Sequence, residues 1–384
     1  MMRRLLSHYK AFALLAFNTF VAFIAINALL FVAFAIYDRT KGDPEPEKLR
    51  RVYPELSASD IHQLLRETRT RPFSFDTFTH YKERPFQGRF VNVHDAGFRL
   101  SGADTPQPWP PSATNLNVFV FGGSTTFGYG VSDAETITAR LGSHLAHKLP
   151  NAVCTYNFGR GTYASMQERI LFEKLLLAGT VPDVAVFIDG VNDFVRRDGL
   201  PDMSANLKEA FERPTATRIL SELPIGRLQR AMGKRHWPIA AEQTGGWAPD
   251  DKQAIKEVVA RYLGNKQMIE AVARSYHVST AFVWQPTPIY KYDDDHYHLF
   301  KNEGYGSSAI MREGYAEMAP HLKETGERER VCWLADIQES RKEPLYVDRM
   351  HYTAPFSAEI GQLIGDFLLT HGLAKKRDLA HAPQ

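Results

Sequence analysis

Ser124, Asp348 and His351 are the residues whose types and spacing could do covalent chemistry in this 384-residue chain. The serine lies in Gly122-Gly123-Ser124-Thr125-Thr126-Phe127-Gly128, the other two in Asp348-Arg349-Met350-His351. A serine hydroxyl is a weak nucleophile until an adjacent base takes its proton. An imidazole, with an unperturbed pKa near neutrality, suits that task. An aspartate three residues earlier can hold the imidazole tautomer and offset the imidazolium charge. Attack on an ester carbonyl also builds charge on its oxygen, which needs preset donors. The candidates are the Ser124 N–H, a backbone N–H near Gly161 in Asn157-Phe158-Gly159-Arg160-Gly161-Thr162, and the Asn192 side chain in Asp189-Gly190-Val191-Asn192-Asp193. Glycines beside Ser124 let a substrate approach the backbone closely.

Plainer readings compete. Ser124 could be an ordinary turn serine, and Asn192 and Asp193 could simply cap the segment that follows. Asp193 is read as structural. A phosphate cradle is excluded, because neither Gly-Lys-Ser/Thr nor G-x-G-x-x-G follows the strand. The G-x-S-x-G elbow of α/β-hydrolases is missing too.

The elements that must position these residues alternate. Asn117 to Phe121 is a short apolar run of the kind that forms a fully buried parallel strand. Further strands are predicted at 152–156, 183–188, 280–284 and 331–335. Helices are predicted at 135–148, 165–177, 252–276, 308–325 and 355–373. The alternation predicts a flavodoxin-like, three-layer α/β/α fold with a five-stranded parallel sheet of order 2-1-3-4-5. Ligands in such sheets bind beyond the carboxyl ends of the strands, and the four motifs fall in or near those loops.

These motifs, in this order, resemble the SGNH (GDSL-like) hydrolases. The resemblance covers about residues 117–373. It implies Ser124 as nucleophile, Asp348 and His351 as its acid and base partners, and an oxyanion hole of Ser124, Gly161 and Asn192. Thr162, one residue on, stands as the alternative to Gly161. Gly123 departs from the commonest form of the motif, which has Asp there. Asn92-Val93-His94-Asp95-Ala96-Gly97-Phe98-Arg99 is similar to the N-x-x-x-x-G-F-R segment that precedes the domain in membrane-anchored bacterial members. The implied activity is ester hydrolysis through an acyl-enzyme. The alternatives are transfer of the acyl group to a carbohydrate hydroxyl, and an inactive binding protein on the same fold.

Ala11 to Tyr37 carries no charged residue. This run of about 27 residues is long enough to cross a bilayer. Ala33-Phe34-Ala35 resembles a signal-peptidase site, but the run exceeds a typical cleaved segment, so an uncleaved anchor is expected. Arg3, Arg4 and Lys10 ahead of it favour export of the rest, although Arg39, Lys41, Lys48, Arg50 and Arg51 follow. The expected location is the bacterial cytoplasmic membrane, single-pass, with the domain outside the cytoplasm.

The resulting organisation is an anchor (1–37), a linker (38–56) bearing Pro44 and Pro46, a pre-domain segment (57–111), a hydrolase domain (112–376) and a tail (377–384). A net charge of +2 and the lack of a long basic tract argue against nucleic-acid binding. No cofactor or metal is expected; Asp293-Asp294-Asp295-His296-Tyr297-His298 reads as a charged loop. Cys154 and Cys332, on predicted outer strands, are expected to be free thiols. The expected partners are an ester substrate and, through the N-terminal helix, a membrane.

Overall fold

The computed structural model describes residues 2–40, 46–102, 107–195, 197–201, 204, 223–232, 252–293, 299 and 308–377. The chain divides into two compact units. One comprises Met1–Glu45 with Ala205–Ala241; the other comprises Pro46–Ser204 with Glu242–Gln384.

The first unit holds α1, Met2–Thr40. Its Leu6–Tyr37 stretch is long and apolar enough to be a candidate membrane span. A second helix, α7 (Pro224–Met232), packs on it. The Ile225 N–H donates to Asn27 Oδ1 (3.1 Å), and the Arg227 guanidinium lies 4.2 Å from the centre of the Phe34 ring.

The second unit is built on five parallel strands: β5 (Leu116–Gly122), β6 (Val153–Asn157), β7 (Val184–Asp189), β8 (Ser279–Trp284) and β9 (Val331–Trp333). Their order is β6-β5-β7-β8-β9, the predicted 2-1-3-4-5 arrangement. The central strands are buried on both faces, which is why they read as continuous apolar runs. Side chains alternate across the sheet. Phe119, Phe121 and Phe187 pack on the face covered by α6 (Ser165–Leu177), α8 (Lys252–Ser275) and α9 (Ser308–Glu324). Val118, Val120 and Val186 face α5 (Ile137–Lys148) and α10 (Ala354–Thr370). Cys154 and Cys332 stand on the two edge strands, buried and not joined in a disulfide.

The residues before the sheet are more ordered than the sequence suggests. A helix, α2 (Pro46–Val52), occupies part of the stretch read as a linker. Leu49, Val52 and Tyr53 are buried with Leu64, Leu65 and Val347, so this helix belongs to the folded domain. The correction has a simple cause: charges and prolines dominate the segment, while its apolar residues fall on one side. Helix α3 (Ala58–Arg69) follows, with Ser57 as its cap accepting the Asp60 N–H. Two small antiparallel pairs come next. They are β1 (Phe73–Asp76) with β2 (His80–Glu83), and β3 (Phe86–Gln87) with β4 (Asn92–Val93). Single bridges Val93–Arg99 and Arg99–Asn157 attach the segment to the end of β6.

Candidate active site

Ser124 opens α4 (Ser124–Phe127), the short turn of helix directly after β5. His351 Nε2 lies 2.8 Å from Ser124 Oγ. The other imidazole nitrogen, Nδ1, lies 2.8 and 2.9 Å from the two Asp348 oxygens. Asp348 Oδ1 also accepts the backbone N–H groups of Met350 and His351. Burial opposes the charge on this carboxylate. His351 and those two N–H groups outweigh burial and hold its pKa well below the ordinary range. The structure thus joins Ser124, His351 and Asp348 in one hydrogen-bonded chain.

Asn192 and Gly161 border the same turn. The Asn192 Nδ2 group donates to the Tyr163 carbonyl (2.6 Å). A Cβ on Gly123 would fall 2.2 Å from that nitrogen. In this chain the space a side chain at 123 would need is thus filled by the Asn192 amide. A Cβ on Gly161 would fall 2.6 Å from the Tyr129 hydroxyl. Tyr129 in turn stacks on the His351 ring, with centroids 5.0 Å apart. The left-handed backbone of this loop belongs to Thr162 (φ +60°), not to its glycine. Tyr81 holds that conformation, because its hydroxyl lies 2.6 Å from Thr162 Oγ1 and 2.5 Å from the Gly161 carbonyl oxygen.

Several residues at the site escaped the sequence reading. Arg69, the last residue of α3, donates to Asp348 Oδ2 (3.1 Å). Arg71 lies under the Phe127 ring, 3.8 Å from its centre, and 5.2 Å from that of Tyr129. Arg99 donates to the carbonyls of Phe127, Gly128 and Val131, and pairs with Asp133 (2.8 Å). Each reaches the site from a distant part of the chain, so no local spacing announces it. Only Arg99 had a signal, the G-F-R segment.

Behind Asn192 lie three buried carboxyl groups: Glu168 of α6, Asp189 at the end of β7, and Asp193. Burial pushes Glu168 and Asp189 well above the ordinary range; the Asp189 and Asp193 charges raise Glu168 further and the Asp193 charge raises Asp189, whose hydrogen bond with Glu168 works the other way. Burial likewise raises Asp193, against the Ser165 hydroxyl, which donates to it at 2.6 Å. Asp294 to His298 lie outside the described residues. Among the described residues no group of three or more His, Cys, Asp or Glu side chains is arranged to hold a metal ion.

Residues 120–305 match the model of the GDSL-like lipase/acylhydrolase family. The chain carries a GDSL-like lipase/acylhydrolase domain. It is a carboxylic ester hydrolase of that type. The matched region of the hydrolase holds Ser124, Gly161 and Asn192; Asp348 and His351 lie beyond its end. Its structural neighbours include an acetyl xylan esterase (14% identity, 67% of this chain and 99% of that one, TM-score 0.37). A carbohydrate acetylesterase family member from Sinorhizobium meliloti is 13% identical (67% and 98%, TM-score 0.35). A member of the lipolytic G-D-S-L family from Veillonella parvula DSM 2008 is 10% identical (66% and 96%, TM-score 0.34). These likenesses are too remote to bear on the hydrolase's substrate. No curated protein sequence matches the chain.

Proposed function

We propose that the hydrolase cleaves an O-acyl ester through a covalent acyl-enzyme on Ser124. The observation that carries this reading is the unbroken chain from Ser124 Oγ through the imidazole to the Asp348 carboxylate. His351 Nε2 takes the serine proton as Oγ attacks the carbonyl carbon, and returns it to the leaving alcohol. A water then enters, gives its proton to His351, and releases the acid. Asp348, held ionised, keeps the Nδ1 proton in place and offsets the imidazolium charge. The oxyanion is met by the Ser124 N–H, which as the first residue of a helix has no acceptor within it, by the Asn192 amide, and by the Gly161 N–H. The closeness of Gly161 to Tyr129, the ring stacked on His351, favours it over Thr162.

The same reading has α1 retained as a membrane anchor, with the hydrolase domain outside the cytoplasm. Packing of α7 on α1 supports retention, since removing α1 would strip α7 of its partner.

The test uses the full chain in lipid nanodiscs, treated with a fluorophosphonate and measured by intact mass. Wild type gains one adduct, while Ser124→Ala and His351→Ala gain none. A folded wild-type protein that stays unlabelled sinks the reading.

A further inference from the structure

Among the described residues, four large apolar side chains outside α1 are more than half exposed: Phe75 (72%), Phe78 (73%), Leu177 (81%) and Met268 (55%). Three of them converge. Phe75 lies near the end of β1 and Phe78 in the turn between β1 and β2. Lys174, in the last turn of α6, donates to Asp76 Oδ2 (2.7 Å) and to the Thr77 carbonyl (3.0 Å), which pins the helix end to that turn. Leu177 lies three residues on, one turn further along the same side of α6. Two aromatic rings and a leucine thus share one edge of the domain.

The turn is also held in a costly conformation. Phe78 adopts a left-handed backbone angle (φ +70°), which bulky L-residues avoid, as does His80 (φ +75°), a residue type that tolerates it better. A glycine at position 78 would relieve both strain and exposure. His80 Nδ1 lies 2.7 Å from Ser204 Oγ. Ser204 is where the chain leaves the domain to join the 205–241 stretch, whose α7 packs on the candidate membrane span. Only five residues of sequence separate α1 from α2. A short tether of that kind keeps whatever follows it concentrated near its anchor.

We infer that the β1–β2 turn and the end of α6 form a contact surface for the lipid bilayer, with Phe75, Phe78 and Leu177 entering the headgroup boundary. Aromatic side chains on a polar domain are suited to that depth. The inference rests on the candidate span and the exposed edge, not on the role of Ser124. It also has a mechanical corollary. Tyr81, in the same hairpin, fixes the Gly161 carbonyl and Thr162, so a hairpin seated on lipid steadies that loop.

The experiment places single cysteines in the full chain by Phe78→Cys, Leu177→Cys and, as a control, Met268→Cys. Each is labelled with an environment-sensitive fluorophore; the native Cys154 and Cys332 are buried. The proteins are reconstituted in phosphatidylcholine–phosphatidylglycerol nanodiscs with and without doxyl-labelled lipid. Labels at 78 and 177 should dim roughly twofold or more with doxyl lipid, as suits a depth of ~5–10 Å, while the label at 268 stays bright. Adding Phe75→Ser and Phe78→Ser to Leu177→Cys should abolish its quenching with near-ultraviolet circular dichroism unchanged. Equal brightness at 78 and 268 overturns the inference. So does a label at 78 that responds to protein concentration and not to doxyl lipid, which would mark contact with a second copy. None of these readouts requires hydrolysis.

Discussion

Gly123 and Asn192 behave as one unit, because the space a Cβ would take at 123 is filled by the Asn192 amide. If that amide is an oxyanion donor, Asn192→Ala should lower kcat by about 10²–10³ with little change in KM. Gly123→Ala should reproduce most of that loss by displacing the amide; steady-state kinetics on a soluble ester measures both. Arg69 acts at one remove, on the Asp348 oxygen that also faces the imidazole. Its hydrogen bond helps to fix the carboxylate that orients the imidazole. Arg69→Ala should therefore lower kcat with KM little changed, and Arg69→Lys should restore it in part. Arg69 is 43% exposed, so the loss should be modest and should shrink with added salt.

The pre-domain segment contributes most through Arg99, which holds together the turn that follows Ser124. Arg99→Met would leave Asp133 buried without its cation, at a cost of about 3–5 kcal/mol in denaturant unfolding. Lys at 99 should recover only part of this, since one ammonium cannot reach the several carbonyls a guanidinium fork spans. The carboxyl cluster linking α6 to the end of β7 makes a different prediction. Glu168 has its pKa raised in the folded protein, so the native state keeps a proton that the unfolded chain releases above roughly pH 4.3. Stability is then greatest below that pH and falls as pH rises toward the folded value. Glu168→Gln removes this dependence. Its Tm advantage over wild type should grow as pH increases from about 5 to 8.

Much of this was legible in the chain, for physical reasons. Strands buried on both faces must be apolar throughout, so β5 and β7 stood out, and each motif fell at or near a strand end. The bounds of α6 were also readable, from local chemistry. What stayed hidden was long-range. Arg69, Arg71 and Tyr81 gain their roles from contacts with residues far along the chain, and α2 has too few apolar positions to show a period. The left-handed angle at Thr162 was hidden as well, because a neighbouring glycine is the cheaper place for it and only Tyr81 explains the choice.

The molecule as a whole combines a long apolar helix with a domain whose chemistry needs water. If α1 is retained, the full chain should stay with the membrane pellet through an alkaline carbonate wash and leave it only with detergent. Recovery in the supernatant would contradict the anchor. The site is also closed by residues from widely spaced parts of the chain: Arg69, Arg71 and Arg99 come early, Ser124 and Asn192 midway, and Asp348 and His351 close to the end. A ribosome therefore delivers Ser124 more than two hundred residues before His351. At synthesis rates of about 5–20 residues per second, that interval lasts on the order of ten seconds or more. On the proposed reading, the emerging polypeptide carries through that interval a serine without its base, unable to hydrolyse an ester until His351 has been made.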